Sequence, residues 1–266
     1  MLNAYDVVAP SFDRHRRLPD GVPEAIRAAI LKTIAVPALR LLDVGAGSGR
    51  IGAPFVAASD DYVGVDLSAG MLSEFAARKS AARLVQANGE QLPFRAAAFD
   101  AVLLIQVFGG LSGWRKVIME ARRVLRPRGA IVIGRTQMPA DGIDARMKAQ
   151  LDSILDAEGR RQHRANARAD VVAWLAANAV SRDTLTAATW TATRTPRGFM
   201  DRHGGGARFA QLPESFRTQA MRQLGAWARA TFGSLTREFA EPHSFELDVF
   251  RFEHGIRECN NPTTRC

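Results

Sequence analysis

One segment, residues 40–50, constrains the fold of this chain more than any other. An apolar run that ends in Asp43 and Val44 is followed by three glycines at alternate positions, Gly45, Gly47 and Gly49. Glycine lets the backbone turn with positive φ and approach a ligand closely, and a helix that follows begins with unpaired N–H groups. The segment predicts a buried strand, a ligand-binding loop and a helix over residues 48–58.

Strand patterns and helical patterns alternate from residue 39 to residue 134. Five strands are predicted, over residues 39–44, 61–66, 83–87, 99–105 and 130–134, and the helices between them include one over residues 113–125. This alternation is typical of right-handed β-α-β units, which form a parallel sheet with helices on both faces. The chain is therefore expected to have a doubly wound α/β core.

Four polar residues stand at or just after the ends of predicted strands: Asp43, Asp66, Asn88 and Gln106. In an open α/β sheet, ligands bind beyond the carboxyl ends of the strands. We expect these four side chains to lie along one edge of the sheet and to mark the binding site.

Beyond residue 135 the pattern changes. Helices are predicted over residues 143–158, 165–179 and 213–232, strands over 184–195 and 244–253, and a loop or short irregular helix over 196–207. A helix over residues 22–35 precedes the first strand, and two aromatic–Asp pairs, beginning at Tyr5 and Phe12, precede that helix. We divide the chain into an N-terminal helical segment or flap (1–38), a ligand-binding core (39–135), a C-terminal part with a helical cap and the last two strands (136–254) and a disordered tail (255–266).

Composition limits the classes of partner and of cofactor. The net charge is +9, but the arginines are spread over the chain, so we expect no nucleic-acid partner. No stretch reaches the roughly 18 uninterrupted apolar residues of a membrane helix, and no signal peptide is visible, so we expect a cytoplasmic protein without a membrane partner. Two tail cysteines, Cys259 and Cys266, and five scattered histidines predict neither a disulfide framework nor a metal site.

The motifs of residues 39–134 resemble the core of the class I S-adenosyl-L-methionine (SAM)-dependent methyltransferases, in the small-molecule group that includes the ubiquinone and menaquinone biosynthesis enzymes. The segments that carry the resemblance are residues 42–50, residues 63–68 with Met71, residues 90–94, residues 99–100 and residues 124–129. The resemblance implies a Rossmann-like, mostly parallel seven-stranded sheet, with a helical insertion or cap after the fifth strand. It also implies SAM as cofactor and a small-molecule methyl acceptor.

The resemblance assigns a role to each matching position. Asp43 and the loop backbone at Gly45, Ala46, Gly47 and Gly49 would hold the methionine end of SAM, and Asp66 would accept both ribose hydroxyls. Leu67 and Met71 would enclose the adenine or serve as core residues, while Asn88, Gly89 and Glu90 would line the adenine edge. Gln106 would lie where the end of the fourth strand passes the methionine part of SAM. Tyr5 would belong to a flap over the cofactor.

Two positions depart from the family pattern. Gly109-Gly110 stand where many relatives have a His pair after the fourth strand, so no role of that pair transfers to this chain. Arg128 replaces a glycine of the turn before the fifth strand and is expected to change only that turn. The sequence identifies no general base, although His203, His243 and residues 197–202 are candidates for the substrate side.

Three further functions stay open. Residues 47–52 satisfy the G-x-G-x-x-G pattern of a nicotinamide-dependent dehydrogenase, but the strand ends at Val44 and the fingerprint should then begin at Gly45. The second function is that of a non-catalytic SAM-binding module, and the third is methylation of RNA or protein. The acceptor, its O, N or C atom and the oligomeric state are not determined by the sequence.

Overall fold

The computed structural model describes residues 17–108, 111, 113–159, 167–204, 209 and 212–253. The helices among them are α1 Val22–Ile34, α2 Ala53–Ala57, α3 Ala69–Arg78, α4 Trp114–Val124, α5 Ile143–Ala157, α6 Ala167–Asn178, α7 Pro196–Gly204 and α8 Glu214–Phe232. The strands are β1 Arg40–Val44, β2 Asp61–Asp66, β3 Arg83–Gln86, β4 Phe99–Ile105, β5 Leu125–Gln137, β6 Ser181–Arg194 and β7 Phe239–Arg251. Tyr5, Gly109, Gly110 and the tail lie outside the described residues.

All seven strands form one sheet in the order β3-β2-β1-β4-β5-β7-β6. Strands β1 to β5 are parallel, whereas β7 runs antiparallel to both β5 and β6. The order reverses between β1 and β4, which places a crevice beyond the carboxyl ends of these two strands. The expected Rossmann-like, mostly parallel seven-stranded fold is confirmed.

Alternating side chains on the strands build two cores. On one face, Leu41, Leu103 and Val132 pack with α1 and with aromatic residues of α2 and α3. On the other face, Leu42, Val102 and Ile131 pack with α4 and α6. Because both faces are covered, β1 and β4 read as nearly continuous apolar runs.

A third core belongs to the helical cap, which we define as α5, α7 and α8. Its buried residues come from all three helices: Ile143, Met147, Leu151, Ile154, Phe199, Phe216, Ala220, Leu224, Ala228 and Phe232, with Leu235 after α8. Helix α5 follows the carboxyl end of β5, α7 follows the carboxyl end of β6, and β7 begins at the same edge. The cap is therefore attached at the edge where the crevice lies.

Several elements differ from the predictions. The helix predicted over residues 48–58 is confined to Ala53–Ala57, because the glycine loop continues through turns up to Gly52. Strand β5 runs from Leu125 to Gln137 rather than over 130–134, since pairing with β7 extends it and a register shift against β4 accommodates Pro127 and Arg128. Residues 196–204 form a regular helix rather than a loop or a short irregular helix.

Arg128 adopts φ 64°, the left-handed conformation for which glycine is usual. Its exposed side chain projects from the irregular start of β5.

Among the described residues, no helix is both long enough and apolar enough to cross a membrane.

Candidate functional site

The glycine loop connects β1 to α2 through three left-handed residues. Gly45, Gly47 and Gly49 have φ values of 84°, 56° and 83°. A Cβ at Gly45 would lie 2.3 Å from a methyl group of Val107, and one at Gly49 would lie 2.3 Å from the ring of Phe75. Gly47 is different, because the nearest atom of the described residues to a Cβ there is the carbonyl oxygen of Gly45, 3.9 Å away. The loop is thus packed against protein at its ends and open at Gly47.

The N–H groups of this loop are used within the protein. Those of Gly45 and Ala46 donate to the Val65 carbonyl at 2.7 and 2.9 Å, and that of Gly49 donates to Ala46 at 3.1 Å. The free N–H groups expected from the sequence are therefore absent at these positions. Among the described residues, no hydrogen bond reaches the carbonyl oxygen of Gly45, so the loop presents an acceptor suited to an ammonium group.

Asp66 links the end of β2 to the glycine loop. Its Oδ2 accepts a hydrogen bond from the Gly47 N–H and its Oδ1 accepts one from the Ser68 N–H, both at 2.9 Å. Ser68 caps α3, because its side chain accepts from the Met71 N–H. Both carboxylate oxygens of Asp66 therefore lie at the junction between the glycine loop and the start of α3.

Asp43 is buried one residue before the end of β1, with 3% of its surface exposed. Its Oδ2 accepts a hydrogen bond of 2.7 Å from the Tyr62 hydroxyl, and the ring of Tyr62 packs between Phe55 and Phe75. Burial is the main reason why the pKa of Asp43 rises to about 7, and the charge of Asp66 raises it further while the Tyr62 hydrogen bond opposes the shift. A nearby cation would restore the ionised carboxylate.

Leu67 and Met71 differ in how much of each side chain is exposed. Leu67, directly after β2, exposes 55% of its surface, which is unusual for a large apolar side chain in this chain. Met71 is 2% exposed in the first turn of α3. Leu67 is thus available to cover one face of a ligand ring, whereas Met71 serves the core.

The segment after β3 turns tightly over β1. The Oδ1 atom of Asn88 accepts from the Glu90 N–H at 2.9 Å, which leaves it one further lone pair. Gly89 lies against β1, since a Cβ there would be 3.0 Å from Val44. The Glu90 carboxylate faces Gly113 and Lys116 at the start of α4, with 3.6 Å to the lysine Nζ. Asn88 and Gly89 line the crevice side of this turn, and Glu90 is directed toward α4.

Gln106 joins the two sides of the crevice. Its backbone is left-handed, with φ 59°, directly after β4. Its Oε1 accepts from the Arg50 guanidinium at 2.9 Å, and its Nε2 donates to the Thr136 hydroxyl at 3.2 Å. A non-glycine residue held at positive φ by such contacts is a feature of functional sites.

The structure brings most of the predicted residues to one edge of the sheet and adds three that the sequence did not single out. Asp43, Asp66, Leu67, Asn88, Gly89 and Gln106 lie at or just beyond the carboxyl ends of β1 to β4, with the glycine loop among them. Tyr62, Arg50 and Thr136 complete the hydrogen bonds of Asp43 and Gln106. Tyr62 comes from β2 and Thr136 from β5, whereas Arg50 belongs to the glycine loop.

The residues present fit the parts of SAM. The crevice contains a carbonyl oxygen and a buried acid for an ammonium, an acid at a strand end for a diol, and an exposed leucine beside a glycine turn for a flat base. The open position at Gly47 leaves room where the backbone would approach the ligand most closely.

Comparisons with known proteins find similarity to methyltransferases. A family model described as a methyltransferase domain matches residues 42–133. A demethylmenaquinone methyltransferase of Renibacterium salmoninarum is 31% identical over 140 residues, which cover 52% of this chain and 59% of that protein. A malonyl-[acyl-carrier protein] O-methyltransferase of Geobacter sulfurreducens is 31% identical over 188 residues, which cover 65% and 67%.

Solved structures show the same fold. The YcgJ protein from Bacillus subtilis matches with a TM-score of 0.54 and 22% identity, over 84% of this chain and 97% of that one. The chain spans less than two thirds of the length of several curated relatives that it matches. The motifs, the strand order and the shared sequence together place this chain in the class I SAM-dependent methyltransferases.

Proposed function

We propose that this chain binds SAM across the carboxyl ends of β1, β2 and β4 and transfers its methyl group to a small-molecule acceptor. The observation that carries the proposal is the link between Asp66 and the N–H of Gly47, because it fixes the diol-binding acid beside the one open position of the glycine loop.

Each site residue has a proposed role. The Gly45 carbonyl and the Asp43 carboxylate receive the ammonium of the methionine part, and Asp66 accepts from both ribose hydroxyls. Leu67 covers the adenine, while Asn88 and Gly89 meet its polar edge. Gln106, held by Arg50 and Thr136, lies beside the sulfur end.

The chain contributes chiefly by alignment. When bound, SAM would supply an electrophilic methyl group on its sulfonium, open to attack by the acceptor in line with the carbon–sulfur bond. The loop and Asp66 fix the donor end, and the cap encloses the acceptor end and excludes water. A base is needed where the acceptor atom carries a proton.

A small acceptor is favoured by the attachment of the cap. The segments that follow β5 and β6 and the segment that precedes β7 all lie at the edge of the crevice. Relatives named for demethylmenaquinone and for a malonyl group on a carrier protein support an acceptor of this kind. Nucleic acid is a weaker candidate, supported only by the net charge of +9.

Calorimetry and product analysis test the proposal. SAM is expected to bind the wild-type chain and NADH is not, and incubation with SAM and a metabolite panel is expected to release S-adenosylhomocysteine with at least one acceptor. Binding of NADH without binding of SAM would favour the dehydrogenase. Binding of SAM without release of S-adenosylhomocysteine in the presence of any acceptor, nucleic acid and protein included, would favour a non-catalytic module.

A further inference from the structure

A second group of ionisable side chains lies beneath the cap, apart from the proposed SAM contacts. Glu241 and His243 stand near the start of β7, Arg194 ends β6, Asp144 lies in the first turn of α5 and Arg202 lies in α7. Arg202 and Arg194 both form ion pairs with Asp144, and the distance from Arg194 is 3.6 Å. Four elements of the acceptor side thus meet at one buried polar cluster.

The position of His243 follows from the register of the sheet. Ser244 pairs with Gln137, the last residue of β5, so His243 is the first residue beyond that strand's carboxyl end. Phe245 pairs with Thr136, and His243 shares its face of β7 about 7 Å further along. Thr136 is the residue that binds Gln106, which in turn contacts Arg50 of the glycine loop.

The polar atoms of this histidine are unsatisfied within the described residues. His243 is 3% exposed, and neither Nδ1 nor Nε2 has a hydrogen-bond partner there. The Oε2 atom of Glu241 is also buried without a hydrogen-bond partner among the described residues. It lies 3.6 Å from Nε2 of His243, beyond hydrogen-bond distance. Buried polar groups are normally hydrogen-bonded, so two adjacent exceptions require a reason such as a ligand.

The other atoms around His243 have structural roles. Glu241 Oε1 accepts from the Ile143 N–H at 2.5 Å and so caps α5, while Trp190 packs edge-on against the imidazole at 5.7 Å. His203 provides a contrast, because its Nδ1 lies 3.0 Å from the Phe199 carbonyl and its ring stacks on Phe199. His203 therefore has a hydrogen-bond partner within its own helix, whereas His243 has none among the described residues.

We propose that the cluster around Glu241 and His243 is the polar end of the acceptor pocket, and that His243 takes the proton from an acceptor hydroxyl or amine. This inference rests on the proposed methyl transfer. Glu241 faces Nε2, which leaves Nδ1 for the acceptor. As the acceptor oxygen or nitrogen forms its bond to the methyl carbon, its proton passes to Nδ1 and the electrons of the breaking carbon–sulfur bond remain on sulfur. Glu241 stabilises the imidazolium, which later releases the proton to solvent.

The charge around the imidazole suits a base. Burial is the main cause that lowers the pKa of His243, Arg194 lowers it too, and Glu241 and Asp144 oppose the shift. Arg202 neutralises Asp144 from the other side. His243 is thus neutral near pH 7 and ready to accept a proton.

Two variants of His243 and one matched control test the inference. His243→Phe keeps a ring beside Trp190, His243→Gln keeps polarity, and His203→Phe changes the satisfied histidine of the same cap. Calorimetry with SAM, thermal melting and release of S-adenosylhomocysteine with the acceptor found for the wild type are measured for all three.

Turnover is expected to fall at least about 100-fold in both His243 variants, the usual scale of general-base catalysis, with SAM affinity within twofold of wild type. The pH profile of the residual kcat should lack the acid limb that the wild type shows. His243→Phe should melt at a temperature no lower than that of the wild type, because it removes unsatisfied polar atoms. His203→Phe should keep its turnover. Turnover within threefold of wild type in either folded His243 variant would overturn the inference while leaving the proposed function intact. A wild type that releases no product with any acceptor would refute both the inference on His243 and the proposed function.

Discussion

Replacing Asp43 by asparagine is expected to raise the stability of the protein at pH 8 and to leave it nearly unchanged at pH 4. The measurement is urea unfolding of wild type and Asp43→Asn at several pH values, without ligand. The difference in the free energy of unfolding between the variant and the wild type should grow by up to about 4 kcal/mol over this range.

The direction follows from the raised pKa of Asp43. Burial brings it from 3.8 in the unfolded chain to about 7 in the folded one. The folded state therefore keeps a proton that the unfolded state has already lost, and this contribution to stability is fully present below pH 3.8 and is lost as the pH rises through 7. Asparagine can accept the Tyr62 hydrogen bond without ionising, so the variant does not show this loss.

Tyr62→Phe provides the matched control for Asp43. Removing the hydroxyl takes away the hydrogen bond that opposes the raised pKa, so the loss of stability should move to higher pH in this variant. Parallel stability curves for wild type and Asp43→Asn between pH 4 and pH 8 would show that Asp43 does not carry the proton.

Replacing Asp66 by alanine is expected to weaken SAM binding by about 100-fold or more. Hydrogen bonds to a charged group contribute about 1.5–3 kcal/mol each, and two ribose hydroxyls would lose their acceptor. The Gly47 and Ser68 N–H groups would lose theirs as well, which loosens the loop that shapes the site.

Asp61→Ala is the control for this prediction, because Asp61 lies at the opposite end of the same strand and pairs with Arg40 and Arg83. Calorimetric titration with SAM should give wild-type affinity for Asp61→Ala. An Asp66→Ala variant that binds within threefold of wild type would refute the ribose assignment.

The sequence predicts the core of this fold well. β2 and β4 have the predicted limits, and the glycine loop begins where the apolar run of β1 ends. These predictions succeed because local signals, namely apolar runs and glycines, agree with the tertiary structure. The position of Asp66 is predictable for the same reason, since the end of a strand fixes where its last side chain lies.

The remaining features depend on pairing between distant segments. β5 is longer than its apolar run because β7 pairs with it, and Pro242 is tolerated in β7 because that part of the strand pairs only with β6. The partner of Asp43 is Tyr62, which the sequence places in a strand but not beside an acid. The exposure of Leu67 and the burial of Met71 likewise depend on how α3 packs.

A calorimetric titration of SAM into wild type, Gly47→Ala and Gly159→Ala tests the central claim most directly. Both glycines have similar left-handed φ values, 56° and 61°, and a methyl group at either position meets no atom of the described residues closer than 3.9 Å. The cost of strain is thus matched, and only Gly47 faces the proposed ligand. We predict that wild type and Gly159→Ala bind SAM alike and that Gly47→Ala binds at least about tenfold more weakly, a loss of about 1.4 kcal/mol. Equal affinity for all three proteins, or no binding of SAM by the wild type, would contradict the account.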